Sequence, residues 1–170
     1  MYKRQVRFYD TVFSVINLGM NTSEEERRWA VRAMAAAVYK EDVDRDTLLS
    51  FIDTYYGDDT DLFTLVWIGN MIFHGIRRDI ISPDDVLSVL VDMADREPFS
   101  MELFEKVLDT LNLIMTVGKL ERHHLPLVEK VKERAERMLS EGNLSPDDIA
   151  YWDSVKGAAE GVLSAIDGEE

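Results

Sequence analysis

What most constrains this chain is its punctuation. Ser82-Pro83-Asp84-Asp85 and Ser145-Pro146-Asp147-Asp148 are the same tetrapeptide, and each copy carries three marks of a helix start. A serine hydroxyl can accept from an orphan backbone N–H, proline sits where a missing N–H costs nothing, and two carboxylates face the positive end of the helix dipole. Thr22-Ser23-Glu24-Glu25-Glu26 is a third start, Asp44 and Asp46 a fourth, Asp58-Asp59-Thr60-Asp61 a fifth and Ser100 a sixth. Gly57, Gly118, Pro126 and Gly142 mark further breaks. Between these signals the apolar residues recur at helical spacing, and no stretch alternates with period two. The pattern predicts helices near 3–18, 23–41, 45–56, 60–77, 83–96, 100–118, 125–141 and 146–166, with no sheet. Linkers of a few residues then force consecutive helices to pack as antiparallel hairpins.

Two of these segments, 62–76 and 103–117, are apolar nearly all round and must be covered on several sides. The segment 125–141 has one apolar stripe (Val128, Val131, Ala135, Met138) and a charged opposite face. An alternation of central and peripheral helices suits a layered stack. At 170 residues the chain is expected to form a single helical domain, 1–170.

Composition removes whole classes of function. There is no cysteine, hence no disulfide framework, thiolate zinc site or cysteine nucleophile. The N-terminal residues are interrupted by charge, unlike a signal peptide, and Leu62–Ile76 is too short to span a bilayer. The expected location is cytoplasmic, with no membrane association. Net charge is −14, from 19 basic and 33 acidic residues, which opposes direct binding to nucleic acid and favours a basic protein partner. No phosphate-cradling glycine run, nucleophile elbow, calcium loop or HExxH motif is present. No cofactor, metal or catalytic residue is assigned, and a non-enzymatic role is expected.

A faint internal repeat runs through the chain. Trp29 and Trp67 are 38 residues apart, as are Leu49-Ser50 and Leu87-Ser88; Leu62-Phe63 and Leu103-Phe104 are 41 apart, and Asn70 and Asn112 are 42 apart. A period of about 40 with two helices per unit is typical of helical solenoids. The run Leu65-Val66-Trp67-Ile68-Gly69-Asn70-Met71-Ile72, with Leu125-Pro126-Leu127-Val128 downstream, resembles the armadillo and HEAT repeats. That resemblance implies a right-handed stack of helical hairpins in which Trp67, Asn70 and Asn112 line a groove for an extended peptide. The Trp–Asn spacing here is three, whereas the armadillo pattern has four. A closed multi-helix bundle is the alternative fold.

Single residues sharpen the expectation. Asn70 lies on an otherwise apolar helix, where a buried amide must be hydrogen-bonded, so it either bridges to a neighbouring helix or faces a groove. His74 lies one turn further on the same helix and reads as a half-buried histidine. Tyr55-Tyr56 and Tyr151-Trp152 are aromatic pairs beside carboxylates, a setting that receives Lys or Arg from a partner. Consecutive residues cannot both face inward, so packing explains one member of each pair. His123-His124 after Glu121 reads as a solvated loop, because adjacent helical residues point about 100° apart and do not easily hold one ion. The first helix has two apolar faces, and the second of them suits a homodimer contact. The leading expectation is an interaction or scaffold module with an acidic, aromatic-containing groove that binds a basic or extended protein segment. An acidic mimic of nucleic acid that occupies a DNA-binding protein and a metal-dependent helical hydrolase are the alternatives.

Overall fold

The structure, a computed structural model, describes residues 23–168. The helix expected near 3–18, with its homodimer face, lies outside the described residues. Among those described, seven α-helices follow one another: α1 (Glu24–Tyr39), α2 (Arg45–Tyr55), α3 (Leu62–Arg77), α4 (Pro83–Asp95), α5 (Met101–Thr116), α6 (Leu125–Ser140) and α7 (Pro146–Asp167), with a 3-10 turn at Arg122–His124 before α6. No strand occurs among them. The all-α expectation holds, with seven described helices where the punctuation pointed to about eight. No described helix is long and apolar enough to cross a membrane.

The helices start where the capping chemistry places them. The Ser23 hydroxyl accepts from Glu26 N at 3.2 Å while the Glu26 carboxylate accepts from Ser23 N at 3.1 Å, a reciprocal box that satisfies two orphan donors. Ser145 and Asp148 form the same box before α7. Asp44, Asp61 and Ser100 cap α2, α3 and α5 through the backbone N–H groups of Thr47, Thr64 and Leu103.

Three helices share more than a cap. α1, α3 and α5 are each 16 residues long, and their first residues, 24, 62 and 101, lie 38 and 39 apart. Each ends in a residue with left-handed backbone: Glu41 at φ 60°, Asp79 at φ 57° and Gly118 at φ 70°. The amide after each returns to the helix, Asp42 N to Ala37 O, Ile80 N to Gly75 O and Lys119 N to Ile114 O, at 2.9–3.0 Å. This closure satisfies the last carbonyls. In Glu41 and Asp79 it is held against a steric penalty of about 1 kcal/mol that glycine would not incur.

The chain divides into two compact units, Met1–Asp85 and Val86–Glu170. In the first, α1 and α3 lie side by side and run in the same direction. At their N-terminal ends Arg28 and Arg32 stand over the Phe63 ring; at their C-terminal ends Tyr39 meets His74 edge-on, Arg78 stands over Tyr39, and Arg78 pairs with Glu41 at 2.8 Å. The start of α2 is tied to the first turn of α4, where Arg45 grips Asp85 through two N–H donors at 2.6 and 3.1 Å. Val31, Met34 and Val38 of α1, Leu48, Phe51 and Ile52 of α2, and Ile68, Met71, Ile72 and Ile76 of α3 fill this core. Burial of such a side chain is worth about 1.5–3 kcal/mol. Gly75 lets α3 approach its neighbours, since a Cβ there would lie 3.0 Å from Ile81 and 3.1 Å from Leu48.

In the second unit Leu103, Phe104, Val107, Leu111 and Ile114 of α5 are buried with Leu127, Val128, Val131 and Ala135 of α6 and Trp152 of α7. Arg134 is 3% exposed and acts as a clamp. It donates to Arg96 O at 3.1 Å and to the Glu97 carboxylate at 2.6 Å, with its guanidinium over the Phe99 ring. A buried charge is tolerated when it is paired and hydrogen-bonded in this way, and the pairing holds the Glu97 carboxyl below its ordinary pKa.

Candidate binding face

The residues singled out from the sequence separate into three places. Trp67, Asn70 and His74 occupy positions i, i+3 and i+7 of α3 and share one stripe, since residues three and four apart are neighbours on a helix. All three are half-buried. Phe63 extends the stripe toward the N-terminus, its ring centroid 6.2 Å from that of Trp67. On α1 the matching edge carries Arg28, Arg32, the exposed small residue Ala36, and Tyr39. The result is an elongated face with aromatic rings at Phe63, Trp67 and Tyr39 and a low centre at Ala36.

Asn70 is the polar feature of this face. Its amide makes no hydrogen bond among the described residues and stays partly open to solvent. Among the described residues it therefore does not bridge to a neighbouring helix, one of the two roles its sequence setting allowed. The Trp67 indole N–H is likewise unbonded among the described residues. His74 is wedged between the edges of Tyr39 and Phe73, at centroid distances of 5.4 and 5.1 Å.

The charge here differs from the acidic setting expected for the groove. From Arg27 to Tyr39 and from Leu62 to Arg77 there is no Asp or Glu, in a chain with 33 of them. The acids of α1 are confined to its first turn, Glu24, Glu25 and Glu26. Arg28 pairs with Glu24 at 2.7 Å, whereas Arg32 has no ion-pair partner among the described residues. These two helices also carry exposed apolar side chains, with Trp29 47% exposed, Tyr39 56% and Leu62 48%, as do α5 and α7 of the second unit at Met101, Met115 and Ile149.

The acidic, aromatic setting is found instead around Tyr55 and Tyr56, at the N-terminal ends of α1 and α3. A cleft of about 400 Å³ is lined there by Arg27, Tyr55, Tyr56, Asp58, Asp59 and Asp61. Asp61 is occupied as the cap of α3, its second oxygen accepting from the Thr64 hydroxyl at 2.7 Å. Asp58 and Asp59 make no ion pair among the described residues. Tyr55 packs on Phe51 at 4.5 Å, and its hydroxyl is buried without a hydrogen-bond partner among the described residues. Burial pushes its phenol pKa up, opposed by the charge of Arg27.

Tyr151, Trp152 and Asn112 belong to the second unit. Trp152 is a core residue, 3% exposed, against Phe99 and Phe104 at 5.8 and 5.3 Å; this removes it from the candidate contact residues. Tyr151 is half-buried, and burial first, then the charges of Glu105 and Asp109, raise its pKa. Asn112 is exposed on α5. The helix offset from α3 to α5 is 39, which matches Asn70 with Asp109 and leaves Asn112 out of register. His124, expected in a solvated loop, is 2% exposed, and its Nδ1 accepts from Glu121 N at 2.9 Å. Its ring closes the 3-10 turn ahead of α6.

Arg32, Tyr39 and Phe63 were not singled out from the sequence. The signal that would have found them is the absence of acids from 27–39 and 62–77. No protein-family model, curated protein or solved structure matches the chain.

Proposed function

We propose that the chain is a non-enzymatic protein-interaction module that holds an extended segment of a partner along the α1–α3 face. The observation that carries this reading is Asn70: a half-open amide with unused donors and acceptor, between aromatic rings, on a helix otherwise built of apolar residues. An extended peptide has one N–H and one C=O per residue to satisfy, and an asparagine side chain offers the complementary pair. Trp67, Phe63 and Tyr39 supply apolar area of the kind that anchors interfaces. Ala36 leaves room for a backbone to approach.

The equal lengths, 38- and 39-residue offsets and shared left-handed ends of α1, α3 and α5 support a HEAT-like layered arrangement as the setting for this face. The cleft at Tyr55 and Tyr56 opens at the N-terminal end of the same helix pair. With Asp58 and Asp59 it would receive a Lys or Arg of the bound segment through charge and ring contact.

The test is photo-crosslinking in the cells that make the protein, with benzoylphenylalanine in place of Ala36 and, as control, of the exposed Glu136 on α6. The reading expects one protein captured from position 36 and not from 136, with the crosslinks in one short stretch of its sequence. Capture that is equal from both positions, or absent from 36, would overturn it.

A further inference from the structure

Two guanidiniums share one ring. Arg28 and Arg32 each stand 5.1 Å from the Phe63 centroid, so both positive charges are held at the same ring. Glu24 neutralises Arg28 at 2.7 Å, but Arg32 has no carboxylate within ion-pair distance among the described residues, and none follows in 27–39 or 62–77. The cluster is one negative charge short. Contact with the ring restricts the Arg32 side chain, which lowers the entropy lost when a fork-like bond to a carboxylate forms.

We propose that the partner segment presents an Asp or Glu carboxylate to Arg32 while its backbone lies against Asn70; the inference rests on the binding reading above and names the chemistry of the occupant. The net charge of −14 does not forbid this. Screening at physiological ionic strength limits distant charges to a range of about 8 Å, so with Arg28 matched by Glu24 the local charge is set chiefly by Arg32. The resulting segment carries both signs, a carboxylate at Arg32 and a cation in the cleft of Asp58 and Asp59.

The experiment is selection of displayed random dodecapeptides on the full chain, repeated on the variants Arg32→Glu, Asn70→Ala and Trp67→Ala, each first checked for an unchanged helical melt. Selected peptides are expected to share an Asp or Glu. Replacing that residue by Ala should weaken binding to the native chain at least about 10-fold, and have little effect on binding to Arg32→Glu. Peptides that bind through Trp67 and Asn70 but contain no required acid, or that ignore Arg32→Glu, would end the carboxylate inference and leave the groove standing. Selected peptides indifferent to Trp67→Ala and Asn70→Ala would remove both, as would a selection that enriches nothing.

Discussion

Tyr55 shows how one side chain bears on both stability and binding. Its ring is packed on Phe51, yet its hydroxyl is buried without a partner among the described residues, an arrangement that leaves a desolvation penalty in place. Tyr55→Phe removes the hydroxyl and keeps the ring. Urea melts should show the variant more stable by about 1 kcal/mol; a loss of that size would mean that the hydroxyl has a partner in the folded protein. The sequence marked Tyr55 and Trp152 as members of aromatic pairs but did not distinguish their environments. Trp152 went inward because Phe99 and Phe104 come from distant positions to meet it, and such non-local packing leaves no trace in residue spacing. Asn70 was more legible, because a polar side chain in an apolar run stands out from the order of residues alone.

At the scale of helices, starts were the most legible feature. Local capping decides them, and Ser23, Asp44, Asp61, Ser100 and Ser145 all cap as their chemistry requires. Register between helices was less legible. The pairs Leu62-Phe63 with Leu103-Phe104 and Asn70 with Asn112 suggested offsets of 41 and 42, but α3 and α5 begin 39 apart. The burial pattern agrees with 39: Leu65, Ile68 and Ile72 correspond to Phe104, Val107 and Leu111, all buried. Residue identities drifted while the pattern of inward positions persisted.

Inter-helix ion pairs were not legible either, and one of them sets a pH dependence. The Arg45 guanidinium, with the Ser82 backbone, lowers the Asp85 pKa to about 2. A carboxylate depressed in the folded state adds stability above its unfolded pKa of about 4, and that stability is lost as pH falls toward about 2. Asp85→Asn lacks this contribution. Its melting temperature should lie below the native one at about pH 7, and the gap should narrow between about pH 4 and pH 2.5. A gap that stays constant over that range would show that the Arg45 pairing contributes nothing to it.

For the molecule as a whole, net charge proved a poor guide to any one surface. The value of −14 is real, but among the described residues of the first unit the acids lie in the first turns of α1 and α4, on α2 and in the loops, while α1 beyond its first turn and α3 have none. A summed charge cannot reveal that segregation, whereas helix boundaries taken together with residue positions do. The two units, Met1–Asp85 and Val86–Glu170, each have their own buried core, and the candidate face belongs to the first.

The claim that an extended partner segment is held by the Asn70 amide is tested most directly by calorimetric titration of the crosslinked partner's segment into the native chain and into Asn70→Ala. Loss of hydrogen bonds that would otherwise be satisfied in the complex should weaken binding about 10-fold or more, with the thermal melt of the free protein unchanged. Equal affinity for the two proteins would contradict it.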